Sequence, residues 1–408
     1  MKKALFVTYG GGHVAMVIPV LRELQGRGGW DITTLALTTA GPALNRAGFP
    51  CIGFRDLVLP EDAEALQKGE RLLDANHTGG LSIPREESVA YLGLSYADLE
   101  RRVGVADAAD RYAREGRRAF LPMGPMERLI RRLTPDLVVT TNSPRAEEAA
   151  IRAASRLGVP TLCVVDLLFP EGVYKDTLNA FLVEPGYGRR LAVFSEQFRR
   201  WLIDHGRRAE DVVATGNPAF DELADPALDS RAAALRRERG WEGRKVILWA
   251  SQPEPRRPDL PGKILAALLE ILPGHPDWYL VHRKHPSEPV GTTPLGAQAG
   301  RSDQRDDLAL MLSAVDLVVT MTSTVGIQGV VRDKPLVKIR LSQFDETMPY
   351  ESIGVALAVD RLEDLEGRLI SALGGGPEAQ AMREARRRLP RPGTATRAVV
   401  DVLESLAR

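Results

Sequence analysis

TMTSTVGIQGVVRDKPLVKIR, residues 320–340, contains in order the end of a strand, a turn, a short helix and a second strand. An apolar run, 317–320, precedes the small and hydroxyl residues that lead into the helical segment IQGVVR. Asp333-Lys334-Pro335 closes that helix before the apolar strand 336–339. The start of such a helix offers free backbone N–H groups and the positive end of the helix dipole, which suits a phosphate. An ordinary strand–loop–helix unit, common in any α/β protein, is the alternative.

Segments of the same kind lie on both sides of this stretch. Residues 3–8 predict a buried strand, followed by a glycine-rich turn and a helix over 14–25 with apolar residues at helical spacing. The apolar runs 135–143, 159–170 and 244–251 continue the alternation of strand and helix. This rhythm predicts an α/β fold with two doubly wound, Rossmann-like parallel sheets and a ligand in the cleft between the two halves.

At 408 residues the chain is too long for one ordinary core, so we expect two domains. The N-terminal domain is predicted at 1–188 and the C-terminal domain at 189–385, with a last helix at 386–408 returning toward the first. Residues 56–125 interrupt the rhythm with charged, helix-forming sequence around the segment NHTGG, 76–80. This insertion is either a lid that binds an acceptor or a surface excursion of helices.

The composition is that of a soluble globular protein, with 44% hydrophobic and 26% charged residues. Lys+Arg and Asp+Glu are both 54, so no global field attracts nucleic acid or a membrane surface. The only two cysteines, Cys51 and Cys163, argue against a disulfide framework or a cysteine metal site. No apolar run approaches membrane-spanning length, and the N-terminal apolar segment is too short for a signal peptide. We expect a cytoplasmic protein that needs no metal or other cofactor.

The first predicted strand ends in the turn YGGGH, 9–13. Gly11 and Gly12 permit a tight turn and the close approach of a ligand phosphate. His13 would then stand at a helix N-terminus, where the dipole disfavours its charged form and leaves a neutral general base; a helix cap is the alternative. Asp166, at the end of the buried run VVDLL, is the second candidate catalytic residue.

Candidate ligand-binding residues follow several predicted strands. Backbone N–H groups at 216–217 could form a nest for phosphate, and the cations of HRKHP, 282–286, could neutralise a diphosphate leaving group. A plain turn and a solvated basic strand end are the alternatives. The candidate diphosphate-binding residues are Gly11, Gly12, Gly216, Asn217, Arg256, His285, Ser323, Thr324, Gly326 and Gln328. The candidate sugar-binding residues are Glu346 and Glu351.

Five short motifs resemble those of UDP-N-acetylglucosamine 2-epimerases and follow the same order. They are TGNPAFD (215–221), KHP (284–286), SxxGIQ with KPLVKIR (323–340), ETMPYE (346–351) and PGTATRAVVDVL (392–403). The glycine-rich turn ending in His13 is similar instead to N-acetylglucosaminyltransferases of peptidoglycan synthesis, which also carry a TGNP element. The resemblance implies the GT-B architecture, in which two Rossmann-like domains bind a UDP-sugar.

The departures from the epimerase pattern concern residues of the chemistry. The family's Arg-containing first turn is YGGGH here, and the acid after the PD strand is replaced by the segment 141–143. Two glutamates after the GIQ turn are replaced by Gly329 and Val330. Because the acid–base set for epimerisation is reduced, the resemblance implies a bacterial, inverting, metal-independent glycosyltransferase. It would use a nucleotide diphosphate sugar, UDP-linked, and an unknown acceptor.

Three other functions stay open. One is a UDP-N-acetylglucosamine 2-epimerase, hydrolysing or not, that uses Asp166 and other acids. Another is transfer of a phospho-alcohol from a CDP donor, as in the teichoic-acid glycerophosphotransferases, which share the GT-B architecture and short HP motifs. The third is a non-catalytic protein that binds a sugar nucleotide. A homodimer is also open, since the epimerases are often dimers.

Overall fold

The computed structural model of the protein describes residues 1–75, 83–171, 173, 177–285, 287, 288, 294–302 and 306–407. The chain folds into two compact units. The first unit consists of Met1–Ala219 and Thr394–Arg408, and the second of Phe220–Gly393.

The first unit is built on a parallel sheet whose strands alternate with helices. Its strands are β1 (Lys2–Thr8), β2 (Trp30–Ala36), β3 (Leu137–Thr140), β4 (Thr161–Val164), β5 (Arg190–Val193) and β6 (Val212–Ala214). The helices between them are α1 (Gly12–Arg27), α2 (Ala40–Arg46), α3 (Ala63–Ala75), α4 (Arg85–Val103), α5 (Val105–Glu115), α6 (Met123–Leu133), α7 (Ala146–Arg156) and α8 (Glu196–Asp204).

Strand order in the described part of this sheet is β2-β1-β3-β4-β5-β6, and all neighbours are parallel. Leu5 and Val7 of β1 pack into one hydrophobic cluster, while Ala4 and Phe6 pack into another on the opposite face. Because helices cover both faces, the strands are continuous apolar runs. The order of the strands reverses between β1 and β3, and ligands of such sheets bind at the carboxyl ends beside this switch point.

The segment predicted as an insertion, 56–125, is mainly helical where it is described. Two glycines let α3 and α4 pack closely. A Cβ added to Gly69 would lie 2.2 Å from the carbonyl oxygen of Val89, and one added to Gly93 would be equally close to the backbone of α3. Residues 76–82, which include the NHTGG segment, lie outside the described residues.

The second unit repeats the same plan. Its strands are β7 (Lys245–Ala250), β8 (Trp278–Arg283), β9 (Ala299–Ser302), β10 (Leu317–Thr320), β11 (Leu336–Ile339) and β12 (Leu357–Val359). Its helices are α9 (Ala227–Glu238), α10 (Leu260–Ile271), α11 (Leu308–Ala314), α12 (Thr324–Val331), α13 (Leu365–Leu373) and α14 (Pro377–Arg386). The described strands form a parallel sheet in the order β12-β11-β10-β7-β8-β9, so the switch point lies between β7 and β10.

The last helix, α15 (Ala395–Leu406), belongs to the first unit. Its buried residues Val399, Val400 and Leu403 join the hydrophobic cluster that α1 lines. At the rim of this contact, the Arg27 guanidinium of α1 donates to Asp401 at 2.8 Å.

The division between the units falls after Ala219, whereas the sequence analysis placed the boundary after residue 188. The difference arises because β5 and β6 pair with the first sheet as its outer strands. Gly216 and Asn217, which follow β6, therefore lie in the first unit and not in the half to which the nucleotide sugar was assigned. The fold class itself, two doubly wound parallel α/β sheets, is confirmed.

Candidate functional site

The turn after β1 brings His13 to the switch point of the first sheet. Gly11 has a φ of 67°, which glycine adopts readily, and Gly12 begins α1. His13 Nε2 lies 3.3 Å from Asp166 Oδ2, and His13 Nδ1 lies 2.7 Å from Thr141 Oγ1. The two residues predicted to be catalytic are thus neighbours, one after β1 and the other after β4.

A fully buried carboxylate, Glu147, lies on the other side of Thr141. Thr141 Oγ1 is 2.6 and 2.7 Å from its two oxygens, and the backbone N–H groups of Tyr9 and Ser143 donate to it at 2.8 and 2.6 Å. Burial raises the pKa of the Glu147 carboxyl, and the nearby His13 and these hydrogen-bond donors act in the opposite direction. The site therefore contains a second acid that the sequence analysis did not select.

Asparagines hold the segment that carries Asp166. The side-chain oxygen of Asn142 accepts the backbone N–H of Asp166 at 2.6 Å, and its amide nitrogen donates to Asn179 Oδ1 at 3.1 Å. Both asparagines are buried, whereas the side chains of His13 and Asp166 are 21% and 29% exposed. Buried asparagines therefore hold the segment that carries Asp166, while the side chains of His13 and Asp166 remain accessible to a ligand.

A pocket of about 590 Å³ lies at the switch point of the second sheet. It is bordered by the segments after β7, β8 and β10 and by the start of α11. Its lining residues are Ala250, Ser251, Gln252, Pro253, Arg283, Lys284, His285, Leu308, Thr322, Ser323, Thr324, Val325 and Gln328. Of the residues predicted to bind diphosphate, the pocket thus gathers His285, Ser323, Thr324 and Gln328.

Side-chain hydrogen bonds join the segments around this pocket. The Gln252 amide exchanges two hydrogen bonds with Thr322, one to the hydroxyl at 2.8 Å and one from the backbone N–H at 2.9 Å. The Glu288 carboxylate accepts from Ser251 Oγ and from the backbone N–H of His285, both at 2.7 Å. These bonds keep the pocket in shape before any ligand binds.

The first turn of α12 forms one wall of the pocket. Ser323 Oγ caps the helix by accepting the N–H of Val325 at 3.2 Å, and the buried Tyr350 hydroxyl donates to the Ser323 carbonyl at 2.9 Å. The N-terminal end of α12, with the positive end of the helix dipole, therefore borders the pocket, an arrangement that suits an anion.

His282, near the end of β8, and His285, just after this strand, differ in role. His285 Nδ1 accepts from the backbone N–H of Ser287 at 3.1 Å, so its Nε2 carries the ring proton and can donate to a ligand. His282 is buried within the sheet, and burial, helped by Lys284 and Arg301, lowers its pKa to about 4. His282 is thus neutral near pH 7 and cannot offset a phosphate charge.

Two predicted diphosphate ligands lie elsewhere in the second unit. Arg256 is exposed on the segment after β7 and is not among the residues that line the pocket. Gly326 lies in the packing of α12 on the sheet. A Cβ there would lie 2.9 Å from Thr320 Cγ2 and 3.0 Å from Tyr350 Cε2, so close packing accounts for this glycine.

The predicted sugar ligands lie on the segment after β11. Glu346 is exposed, in a single 3₁₀ turn, Asp345–Thr347. Glu351 accepts from the buried Lys338 ammonium at 2.9 Å, so its carboxylate is engaged in holding this segment. Neither lines the pocket.

The departure from the epimerase motif in α12 has a packing reason. A Cβ at Gly329 would lie 2.7 Å from Val318 Cγ2 of β10, and Val330 is buried. Gly329 therefore has no room for a glutamate side chain unless the helix moves away from the sheet, and a glutamate in place of Val330 would be buried.

No family model and no curated protein match the sequence. Similar solved structures include UDP-GlcNAc 2-epimerases and glycosyltransferases. The UDP-GlcNAc 2-epimerase from Neisseria meningitidis bound to UDP-GlcNAc has a TM-score of 0.63 and 13% identity, over 99% of this chain and 100% of that chain. The glycosyltransferase of kitacinnamycin has a TM-score of 0.58 and 16% identity, over 100% of this chain and 99% of that chain. The glycosyltransferase SnogD from Streptomyces nogalater has a TM-score of 0.53 and 14% identity, over 98% of this chain and 99% of that chain. The fold is therefore GT-B.

Two features are absent from the part of the chain that the structure describes. No helix among these residues has the length and apolar character that crossing a membrane requires. In the same residues, no group of three or more histidine, cysteine, aspartate or glutamate side chains is arranged to hold a metal ion.

Proposed function

We propose that this protein is a glycosyltransferase that moves a sugar from a nucleoside diphosphate sugar to an acceptor hydroxyl. The observation that carries the proposal is the 3.3 Å contact between His13 Nε2 and Asp166 Oδ2 at the carboxyl end of the first sheet. An accessible imidazole can act as the general base for an alcohol, and a carboxylate beside it stabilises the protonated ring.

In this mechanism the acceptor oxygen forms a bond to the anomeric carbon as its proton passes to His13 Nε2. The bond between that carbon and the diphosphate oxygen breaks, and the nucleoside diphosphate leaves with the electron pair. Asp166 stabilises the imidazolium that results. Attack from the face opposite the leaving group inverts the anomeric configuration.

The pocket of the second unit supports the donor half of the proposal. The first turn of α12, the Nε2–H of His285 and the cations Arg283 and Lys284 can offset the charge of a leaving diphosphate. A UDP-linked donor is proposed because similar structures include a Neisseria epimerase bound to UDP-GlcNAc and a "S. aureus MnaA-UDP co-structure".

The first test is binding and turnover of a donor panel by the whole chain. UDP, CDP, GDP, dTDP and common UDP-sugars are screened by thermal shift, since a ligand that binds only the folded state raises the melting midpoint. Release of nucleoside diphosphate is then measured with water and with a panel of acceptor alcohols. A shift with UDP species supports the proposal. A shift with CDP alone favours the phosphotransferase, and no shift with any nucleotide contradicts both.

Replacing His13 by alanine tests the base directly. We expect turnover to fall by about 10²–10⁴-fold, the usual contribution of general base catalysis, with the donor-induced thermal shift retained. His275→Ala is the matched control, because His275 pairs with Glu366 and does not line the pocket. An unchanged rate in His13→Ala would remove His13 from the mechanism.

An epimerase is the second candidate, because an imidazole and a carboxylate in contact could also remove and return the proton at C2 of a sugar. Incubation of the donor in heavy water without an acceptor separates the two functions. Deuterium at C2 of recovered sugar favours the epimerase, whereas its absence together with acceptor-dependent release of nucleoside diphosphate favours the transferase.

A further inference from the structure

Hydrogen-bond directions can be assigned along the contacts beneath His13. Each Glu147 oxygen accepts a backbone N–H group, Oε1 from Tyr9 and Oε2 from Ser143, which favours the ionised carboxylate, a group that only accepts hydrogen bonds. Thr141 Oγ1 lies within 2.7 Å of both Glu147 oxygens, so the single hydroxyl proton of Thr141 points to this carboxylate. The hydroxyl oxygen is then left as an acceptor.

His13 Nδ1, 2.7 Å from that oxygen, must therefore be the donor of their hydrogen bond. In the neutral ring this puts the proton on Nδ1 and the lone pair on Nε2. Nε2 is also the nitrogen that lies beside Asp166. Without Thr141, the nearby carboxylate would favour the opposite tautomer, with the proton on Nε2.

We propose that Glu147 and Thr141 are positioning residues that hold His13 in the Nδ1–H tautomer and so leave Nε2 as the basic atom. The inference rests on the proposed function in that His13 is taken as the base. Neither residue touches the reacting atoms. Glu147 orients the Thr141 hydroxyl, and that hydroxyl orients the imidazole and its proton.

The position of Glu147 supports this role over a purely structural one. The carboxylate is fully buried, and such a charge is costly unless each neighbour donates to it. Its backbone partners, Tyr9 and Ser143, lie in the segments that follow β1 and β3, the two strands at the switch point. The same carboxylate therefore ties together the segments that present His13 and Thr141.

Nitrogen-15 chemical shifts of the histidine rings test the assignment without any substrate, because they distinguish a protonated from an unprotonated ring nitrogen. The spectra are recorded at a pH where the His13 ring is neutral, and the His13 signals are identified by their loss in His13→Asn. We expect Nδ1–H in the wild type and Nε2–H in Thr141→Val. Nε2–H in the wild type, or the same tautomer in both proteins, would overturn the inference.

Three further variants separate positioning from structural damage. Thr141→Ser keeps the hydroxyl and should keep Nδ1–H. Thr140→Val removes a neighbouring buried hydroxyl that donates to the Thr141 carbonyl, and it should also keep Nδ1–H. Glu147→Gln should weaken the preference for Nδ1–H, because its amide NH2 replaces one of the two oxygens that accept from Thr141. Loss of Nδ1–H in Thr140→Val would count against the inference.

Turnover provides the second readout. We expect kcat to fall roughly 100-fold in Thr141→Val, to recover in Thr141→Ser, and to leave the donor KM unchanged, since the hydroxyl sets a protonation state and binds no donor. An unchanged kcat in Thr141→Val would overturn the positioning role. Failure of the wild type to turn over any donor, with the tautomers as expected, would instead count against the proposed transferase.

Discussion

Two of the three consecutive glycines in the first turn, Gly10 and Gly12, differ in what a side chain would meet. A Cβ at Gly10 would lie 1.9 Å from Thr39 Oγ1 and 3.0 Å from the carbonyl carbon of the same residue, so packing excludes a side chain. A Cβ at Gly12 would meet nothing within 4 Å, and the φ of Gly12 is not positive. The fold therefore does not require glycine at 12, which agrees with the predicted close approach of a ligand beside His13.

Alanine at these two positions should separate stability from activity. Gly12→Ala should keep or slightly raise the thermal midpoint, because alanine is the better helix former by about 1 kcal/mol, yet it should reduce turnover. Gly10→Ala should lower the midpoint because the turn must shift. Thermal unfolding and donor turnover of both variants check this, and full activity in Gly12→Ala would contradict the ligand role.

Strand β11 carries a lysine whose side chain is fully buried. Lys338 Nζ donates to the carbonyls of Asp345 and Met348 at 2.9 and 2.7 Å and to the Glu351 carboxylate at 2.9 Å. The segment held in this way includes Tyr350, whose hydroxyl bonds to the carbonyl of Ser323 at the start of α12. Lys338 therefore supports the start of α12 indirectly, because it holds the segment 345–351 and Tyr350 of that segment bonds to Ser323.

Lys338→Met should destabilise the second unit and weaken nucleotide binding. The change removes the ammonium that pairs with the carboxylates of Asp345 and Glu351 and donates to two backbone carbonyls, and removing one partner of a buried pair costs about 3–5 kcal/mol. Urea unfolding and the nucleotide-induced thermal shift measure the two effects. Lys263→Met is the matched control, since Lys263 is 62% exposed and such surface pairs contribute only about 0–1 kcal/mol. Equal losses in the two variants would refute this account of Lys338.

At the scale of the whole molecule, the chain leaves the first unit after Ala219 and returns to it at Thr394. The returning helix α15 buries Val399, Val400 and Leu403 in the cluster that also contains residues of α1 and of β1. The hydrophobic core of the first unit thus includes side chains from the last helix of the chain.

Leu403→Ala should therefore destabilise the first unit, although it lies far along the chain from the strands of that unit. Removing a fully buried leucine side chain typically costs about 2–5 kcal/mol, because a cavity remains. Urea unfolding measures the loss, and nucleotide binding at the second unit should persist. Ile370→Ala, at a side chain that is 50% exposed, is the control and should change the stability little. A loss in Leu403→Ala no larger than in the control would contradict the packing of α15.

Local sequence determined the two parallel sheets and pointed to several residues of the candidate site. Apolar runs of strand length, the glycine-rich turn and the hydroxyl-rich start of α12 depend on neighbours in the chain, so they can be recognised without a structure. The same reasoning selected His13, Asp166, His285 and Ser323, because polar residues that follow buried strands lie at the carboxyl edge of a parallel sheet.

Only the tertiary structure decided which strand ends are neighbours. The assignment of β5 and β6 to the first sheet moved the boundary between the units, and the contact of His13 with Thr141 joins segments that are 128 residues apart in the chain. Packing also decided that Gly326 and Gly329 lie against β10 and its neighbours and that Glu351 bonds to Lys338. Strand order and helix packing depend on contacts between residues distant in sequence, and a single sequence does not record those contacts.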